Sequence, residues 1–191
     1  METIADASMM DKWVSISGDV QDQPFEEVFD ATFDRFSFAD FTALFFPETI
    51  QAACAWSKEH EFEAFGMFFT SPSPGEYFSE RGIYGGIIAT GNDDPEAILS
   101  FLTDDNRWAG HFSVYDAAHR FFMVPASRSW MVVGDRDADL AIFGFKSSSQ
   151  QDRFMKTLTG MTFECMEDAA LHAKSFMRYN LETSRFYREN P

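Results

Sequence analysis

Phe25, Phe29, Phe33 and Phe36 recur at spacings of four, four and three residues. At about 100° per residue they fall in one stripe roughly 80° wide, which predicts an amphipathic helix. Asp22-Gln23-Pro24 marks its start, with Pro24 pre-set for the first turn and Glu26 and Glu27 near the positive end of the dipole. Glu26, Asp30 and Asp34 form a row beside the stripe, and Glu27 widens it. Like charges at that spacing weaken an isolated helix by about 0.2–0.5 kcal/mol per pair. Each buried phenylalanine stabilises by about 1.5–3 kcal/mol, so the helix is expected to form while carrying a self-repelling acidic ridge.

A second helix is expected over about 47–60, with Ile50, Ala53, Cys54 and Ser57 on its inner side. It ends among Glu59, Glu61 and Glu63, which alternate with His60 and Phe62. Carboxylates there oppose the helix dipole, a local violation of the kind tolerated at functional surfaces. Met67-Phe68-Phe69 reads as a short strand. Residues 71–94 hold Pro72, Pro74, Gly75, Gly82, Gly85, Gly86 and Gly91, which predict a long surface loop interrupted by a buried strand from Ile87. Asp94-Pro95 reads as the N-cap and first position of a helix to about residue 102, followed by a turn at Asp104, Asp105 and Asn106.

From residue 110 the period changes to two. Segments around 112–114, 121–124, 129–133 and 140–145 are separated by short polar joins and predict a four-stranded antiparallel meander. Ser147-Ser148-Ser149 caps a helix over 150–158, and a longer helix starts near Thr162 or Phe163. The expected fold class is α+β in a single domain. An acidic helical part spans about 1–65, the loop 71–94, and the sheet with its C-terminal helices 110–188.

Charge sharpens this picture. The 191 residues carry 31 acidic and 15 basic side chains, a net of −16. Residues 1–63 hold 14 acids and 3 bases, residues 64–125 hold 8 and 3, and the remainder holds 9 of each. Such a surface repels phosphates, so neither nucleic acid nor an anionic membrane is an expected partner. There is no signal-like N-terminus and no apolar run of about 18 residues, so the cytoplasm is the expected location.

No motif names a reaction. Asp135, Asp137 and Asp139 open like a calcium loop, but Leu140 and Lys146 stand where such a loop needs glycine and a bidentate acid. His60, His111, His119 and His172 form no helical metal pair, and Cys54 and Cys165 have no metal-type spacing. The glycines at 82, 85 and 86 precede a strand, whereas a phosphate cradle needs them ahead of a helix. No metal, cofactor or catalytic residue is therefore expected. What remains is acidic clusters interleaved with aromatics, an arrangement that binds basic proteins through steering and buried anchors. The residues assigned to that surface are Glu26, Glu27, Asp30, Asp34, Glu59, Glu61, Glu63, Asp93, Asp104 and Asp105. An internal alternative folds Arg178, Arg185 and Arg188 back onto them.

The stretch Phe46-Pro47-Glu48-Thr49-Ile50 through Trp56, with Phe65-Gly66-Met67-Phe68, resembles the helix-then-strand start of bacterial immunity proteins related to the SMI1/KNR4 and GAD-like groups. The resemblance implies occlusion of a cognate basic toxin, a nuclease among the candidates, with no reaction on this chain's side. Two other classes stay open: a DNA mimic that inhibits a nucleic-acid enzyme, and a small hydrolase with its site in loop 71–94.

Overall fold

The computed structural model describes residues 1–19, 24–104, 113–158, 162–163 and 166–177. Seven strands form one antiparallel sheet: β1 (Glu2–Thr3), β2 (Arg35–Ala39), β3 (Phe65–Ser71), β4 (Gly86–Ala89), β5 (Arg120–Pro125), β6 (Trp130–Asp135) and β7 (Leu140–Phe145). Their order across the sheet is β1-β4-β3-β5-β6-β7-β2. The fold is α+β, as the change of period implied. The meander is real over β5, β6 and β7, whose short joins fix Met123 opposite Val132 and Val132 opposite Phe143.

The sheet has seven strands instead of four, and the first expected strand is not where the alternation put it. Ser113 N-caps a short helix, α5 (Val114–Ala117), accepting from the Asp116 amide at 3.1 Å and donating to its carboxylate at 2.7 Å. That reciprocal capping favours a helical turn over the two-residue alternation. His111 and Phe112 lie outside the described residues. Beside β5 stands β3 instead, with Phe65 opposite Pro125 and Phe69 opposite Phe121.

The acidic helix at 24–36 does not form either. Phe25–Val28 is one 3-10 turn, the chain then extends, and Arg35 onward is β2, paired along its length with β7. Asp30 breaks the helical path by holding the chain in a turn: its carboxylate accepts from the Thr32 amide at 2.8 Å and the Thr32 hydroxyl at 2.5 Å. Phe29 and Phe33 still pack together, ring centroids 5.2 Å apart, but in an irregular segment over the sheet. Phe36 and Phe38 share a side through the period of a strand. Asp22 and Gln23 lie outside the described residues.

Helices cover both faces of the sheet. One face packs Phe41, Leu44, Ile50, Ala53, Trp56, Ile98 and Phe154. These come from the 3-10 turn Phe41–Phe45, α2 (Pro47–Glu59), α4 (Pro95–Thr103) and α6 (Ser148–Met155). The other packs Trp13 of α1 (Ala7–Ser17), Phe29, Phe33, and Ala169 and Ala170 of α7 (Met166–Met177). Double coverage explains the unbroken apolar runs of β5 and β7, and much of the demand for phenylalanine. Glycine seats two of the rings: a Cβ at Gly66 would stand 2.6 Å from the Trp13 indole, and one at Gly144 2.3 Å from the Phe29 ring.

The long loop expected over 71–94 contains a helix, α3 (Pro74–Arg81), before β4. Pro74 is its first residue, Ser73 caps it, and Gly82 closes it at φ +72°. Residues taken as breakers are thus the two ends of a helix. Where a start signal adjoined a clear periodic run, a first-turn proline at Pro47 and caps at Asp94 and Ser147, helices begin as read, the last one running over Ser148–Met155 and passing into a 3-10 turn to Leu158.

Candidate acidic surface and a histidine–carboxylate cluster

The C-terminal end of α2 gathers four of the ten expected acids, Glu59, Glu61, Glu63 and Asp93. The Ser57 hydroxyl donates to the Glu63 carbonyl at 2.7 Å and accepts from the Gly91 amide at 2.8 Å, joining the loop after α2 to the turn that carries Asp93. His60 stacks on Trp56, centroids 4.0 Å apart. Glu61 and Phe62 then both adopt left-handed backbone, at φ +55° and +59°. Non-glycine residues pay roughly 1–2 kcal/mol each for that conformation. It leaves Phe62 47% exposed, flanked in sequence by Glu61 and Glu63.

The carboxylates themselves divide into two kinds. Glu59 reaches Arg153 at 2.7 Å, and Glu63 accepts from the Ser127 amide and, at 3.0 Å, from its hydroxyl. Asp93 takes the Met1 ammonium together with the Thr90 amide at 2.8 Å. Burial works against its charge, but those donors outweigh it and hold the carboxyl below its ordinary range. Asp30 behaves likewise: burial opposes ionisation, while Thr32, Arg128 and Lys146 favour it more strongly. Glu27, Asp34 and Glu61 are exposed. Among the described residues Asp34 has Arg35, 4.0 Å away, as its ion-pair neighbour. Glu26 lies in the 3-10 turn, and Asp104 closes α4 through its amide. Asp105 lies outside the described residues, as do Arg178, Arg185 and Arg188. Among the described residues, Arg128 neutralises Asp30 and Arg153 neutralises Glu59.

The helix expected to carry the ridge is replaced by a 3-10 turn and a strand. Asp30 and Glu63 are instead drawn to one hairpin tip, since adjacent residues Arg128 and Ser127 hold them. Asp34 and Asp104 belong to other parts of the chain, β2's start and α4's end.

The D-x-D-x-D segment disperses in the same way. Asp135 is half-buried, accepts from the Ala138 amide at 3.1 Å and lies 3.8 Å from Arg120; burial pushes its carboxyl up. Asp137 faces His119 at 3.4 Å. Asp139, at φ +47°, turns to His172. Its carboxylate and carbonyl oxygens each lie 3.1 Å from His172 Nε2, and Asp40 Oδ1 lies 3.2 Å from the same nitrogen. Sequence reasoning missed this cluster because positions 40, 139 and 172 meet only through the topology. The single hint was the acid-rich turn before β7.

A cavity of about 440 Å³ lies beside the old loop region, lined by Val14, Thr70, Ser71, Ser73, Glu76 and Arg120 among others. Ser73 is committed to capping α3 through Glu76, and Arg120 is engaged by Asp19 at 3.1 Å. Among the described residues that line it there is no histidine or cysteine, so none of these supplies an imidazole base to a serine there. Cys54 is buried and its thiol is pushed up to about 11, by burial first and then by Asp93, which suits packing and not nucleophilic attack. Among the described residues no helix is long and apolar enough to cross a membrane.

Compared with known proteins, the chain matches no family model, no curated sequence and no solved structure.

Proposed function

We propose that this chain is a non-enzymatic binding protein whose acidic surface occludes the cleft of a basic protein, acting in the cytoplasm as an immunity protein does for its toxin. The observation that carries the reading is Phe62: a large ring, 47% exposed, held out on strained backbone next to Glu61 and Glu63. Backbone strain persists where the surroundings enforce it, and an exposed aromatic set among acids has the composition of an interface anchor. Carboxylates around such an anchor steer a cationic partner and raise its association rate. Glu59 and Glu63 already hold Arg153 and Ser127, so Glu61 is the acid of this group with its charge most available to a partner.

A DNA mimic needs a row of uncommitted carboxylates at phosphate-like intervals. Asp30, Glu59, Glu63 and Asp93 are engaged internally, which counts against such a row, whereas an anchor at Phe62 beside Glu61 does not need one.

The test is co-expression with the toxin encoded beside the gene. Survival and a co-purifying complex support the proposal; cell death with no complex removes it.

A further inference from the structure

We propose that Asp40, Asp139 and His172 form a binding site for a divalent first-row cation of the zinc class, which clasps α7 to the sheet. The three side chains come from three places: Asp40 follows β2, Asp139 ends the turn before β7, and His172 sits on α7. They therefore have no local reason to converge, yet their ligand atoms all lie within 4.8 Å of one another. Asp139 adds its backbone carbonyl, giving three oxygens at 3.1–3.2 Å around one imidazole nitrogen.

That spacing fits a filled coordination shell. With ligands about 2.1 Å from the ion, neighbouring ligand atoms stand about 3.4 Å apart in a tetrahedron and about 3.0 Å apart in an octahedron. The three nitrogen–oxygen separations already have that size, and the two carboxylates' ligand oxygens lie within 4.8 Å of each other. The imidazole is also braced: its ring packs on Phe163, centroids 4.9 Å apart, and the Phe163 amide donates to the Phe38 carbonyl at 2.8 Å. Asp40 is the solvent-facing member at 52% side-chain exposure, against 26% for Asp139 and 21% for His172, so the ion has an entry side.

The donor set selects the metal. One imidazole with two carboxylates suits zinc or manganese, whereas magnesium and calcium prefer oxygen alone. Two carboxylates and a neutral imidazole balance a 2+ ion. Where Nε2 carries the proton shared with these oxygens, the ion replaces it and the proton leaves to solvent.

A chain of charge −16 attracts cations without any site, so the experiment must separate the two. The intact chain, stripped with EDTA, is titrated calorimetrically with Zn2+, Mn2+ and Mg2+. The variants are His172→Gln, Asp40→Asn and His119→Gln. The expected result is one Zn2+ per chain, preferred over Mg2+, with a raised melting temperature. Affinity should fall about tenfold or more in His172→Gln and Asp40→Asn and stay unchanged in His119→Gln. His172→Gln removes no carboxylate, so undiminished zinc binding in that variant would mean diffuse attraction and overturn the site. Absence of Zn2+ binding to the parent chain would overturn it too, leaving the cluster an ion pair only. Melts in EDTA check that each variant folds, and the half-exposed Asp40 supplies the gentler substitution if His172→Gln does not.

Discussion

Arg128 Nη1 lies 3.0 Å from Asp30 Oδ2, and this pair ties the β5–β6 hairpin to the irregular segment between α1 and β2. The same guanidinium donates to the Ser17 carbonyl at 3.1 Å and to the Val28 carbonyl, and it sits 5.6 Å over the Phe33 ring. Arg128→Ala should therefore destabilise by about 1–3 kcal/mol, chiefly through the two carbonyls left without a donor. Asp30→Asn keeps an acceptor for Thr32 and loses only a half-exposed ion pair, so less than about 1 kcal/mol is expected. Urea unfolding of both variants measures the difference; equal losses would place the clamp in the ion pair instead of the carbonyls.

Acid should loosen two places, the Asp30 turn and the Asp93 turn. Asp30 and Asp93 both have carboxyls held below their ordinary range in the folded chain. A depressed folded pKa stabilises above the unfolded value, and the contribution is lost as pH falls through the folded value. Melting temperature should thus fall below about pH 4, and fall less steeply in Asp30→Asn and Asp93→Asn. Identical slopes in parent and variants would deny these two groups a role.

Asp135 carries the opposite sign. Burial raises its folded pKa, so the native state holds that proton to higher pH than the unfolded chain. Its favourable contribution exists at low pH and disappears as pH rises through the folded value. Asp135→Asn, which still offers an oxygen to the Ala138 amide, should raise the melting temperature at pH 7 and give no gain at pH 3. A lower melting temperature at pH 7 would show that the 3.8 Å approach to Arg120 outweighs burial.

Gly66→Ala and Gly144→Ala should each cost about 1–3 kcal/mol, because the added methyl meets the Trp13 or Phe29 ring well inside contact distance. Gly75→Ala, with open space around its Cβ, is the control and should be close to neutral in a thermal melt.

These residues also show what was legible in the sequence. Helices announced by a start signal next to a clear apolar period, Pro47 for α2 and the Asp94 cap for α4, were readable because both signals are local. The strands of β6 and β7 were readable because their joins are short. The segment from Phe25 to Ala39 was not, since its four-residue phenylalanine spacing is satisfied by the sheet surface and by the Asp30 turn, with β2 completing the edge. Pro74 and Gly82 gave the opposite error, reading as breakers although they bound a helix. Of the acidic surface, the end of α2 was visible as an alternation of glutamates and aromatics. What could not be seen was that Arg128, Ser127 and Arg153 consume several of the expected acids. Asp40 and His172 had no signal at all, being 132 positions apart in the chain and joined only by the packing of α7 on β2 and β7.

Phe62→Gly tests the account most directly. Glycine relieves a backbone angle of +59° and removes an exposed ring, so thermal stability should hold or rise, by up to about 1 kcal/mol. Binding should move the other way: association with the toxin encoded beside the gene, followed by surface kinetics, should weaken at least tenfold, with a salt-dependent on-rate in the parent chain. A glycine variant that binds as tightly as the parent would contradict the assignment of this strained, acid-flanked ring as the anchor of the interface.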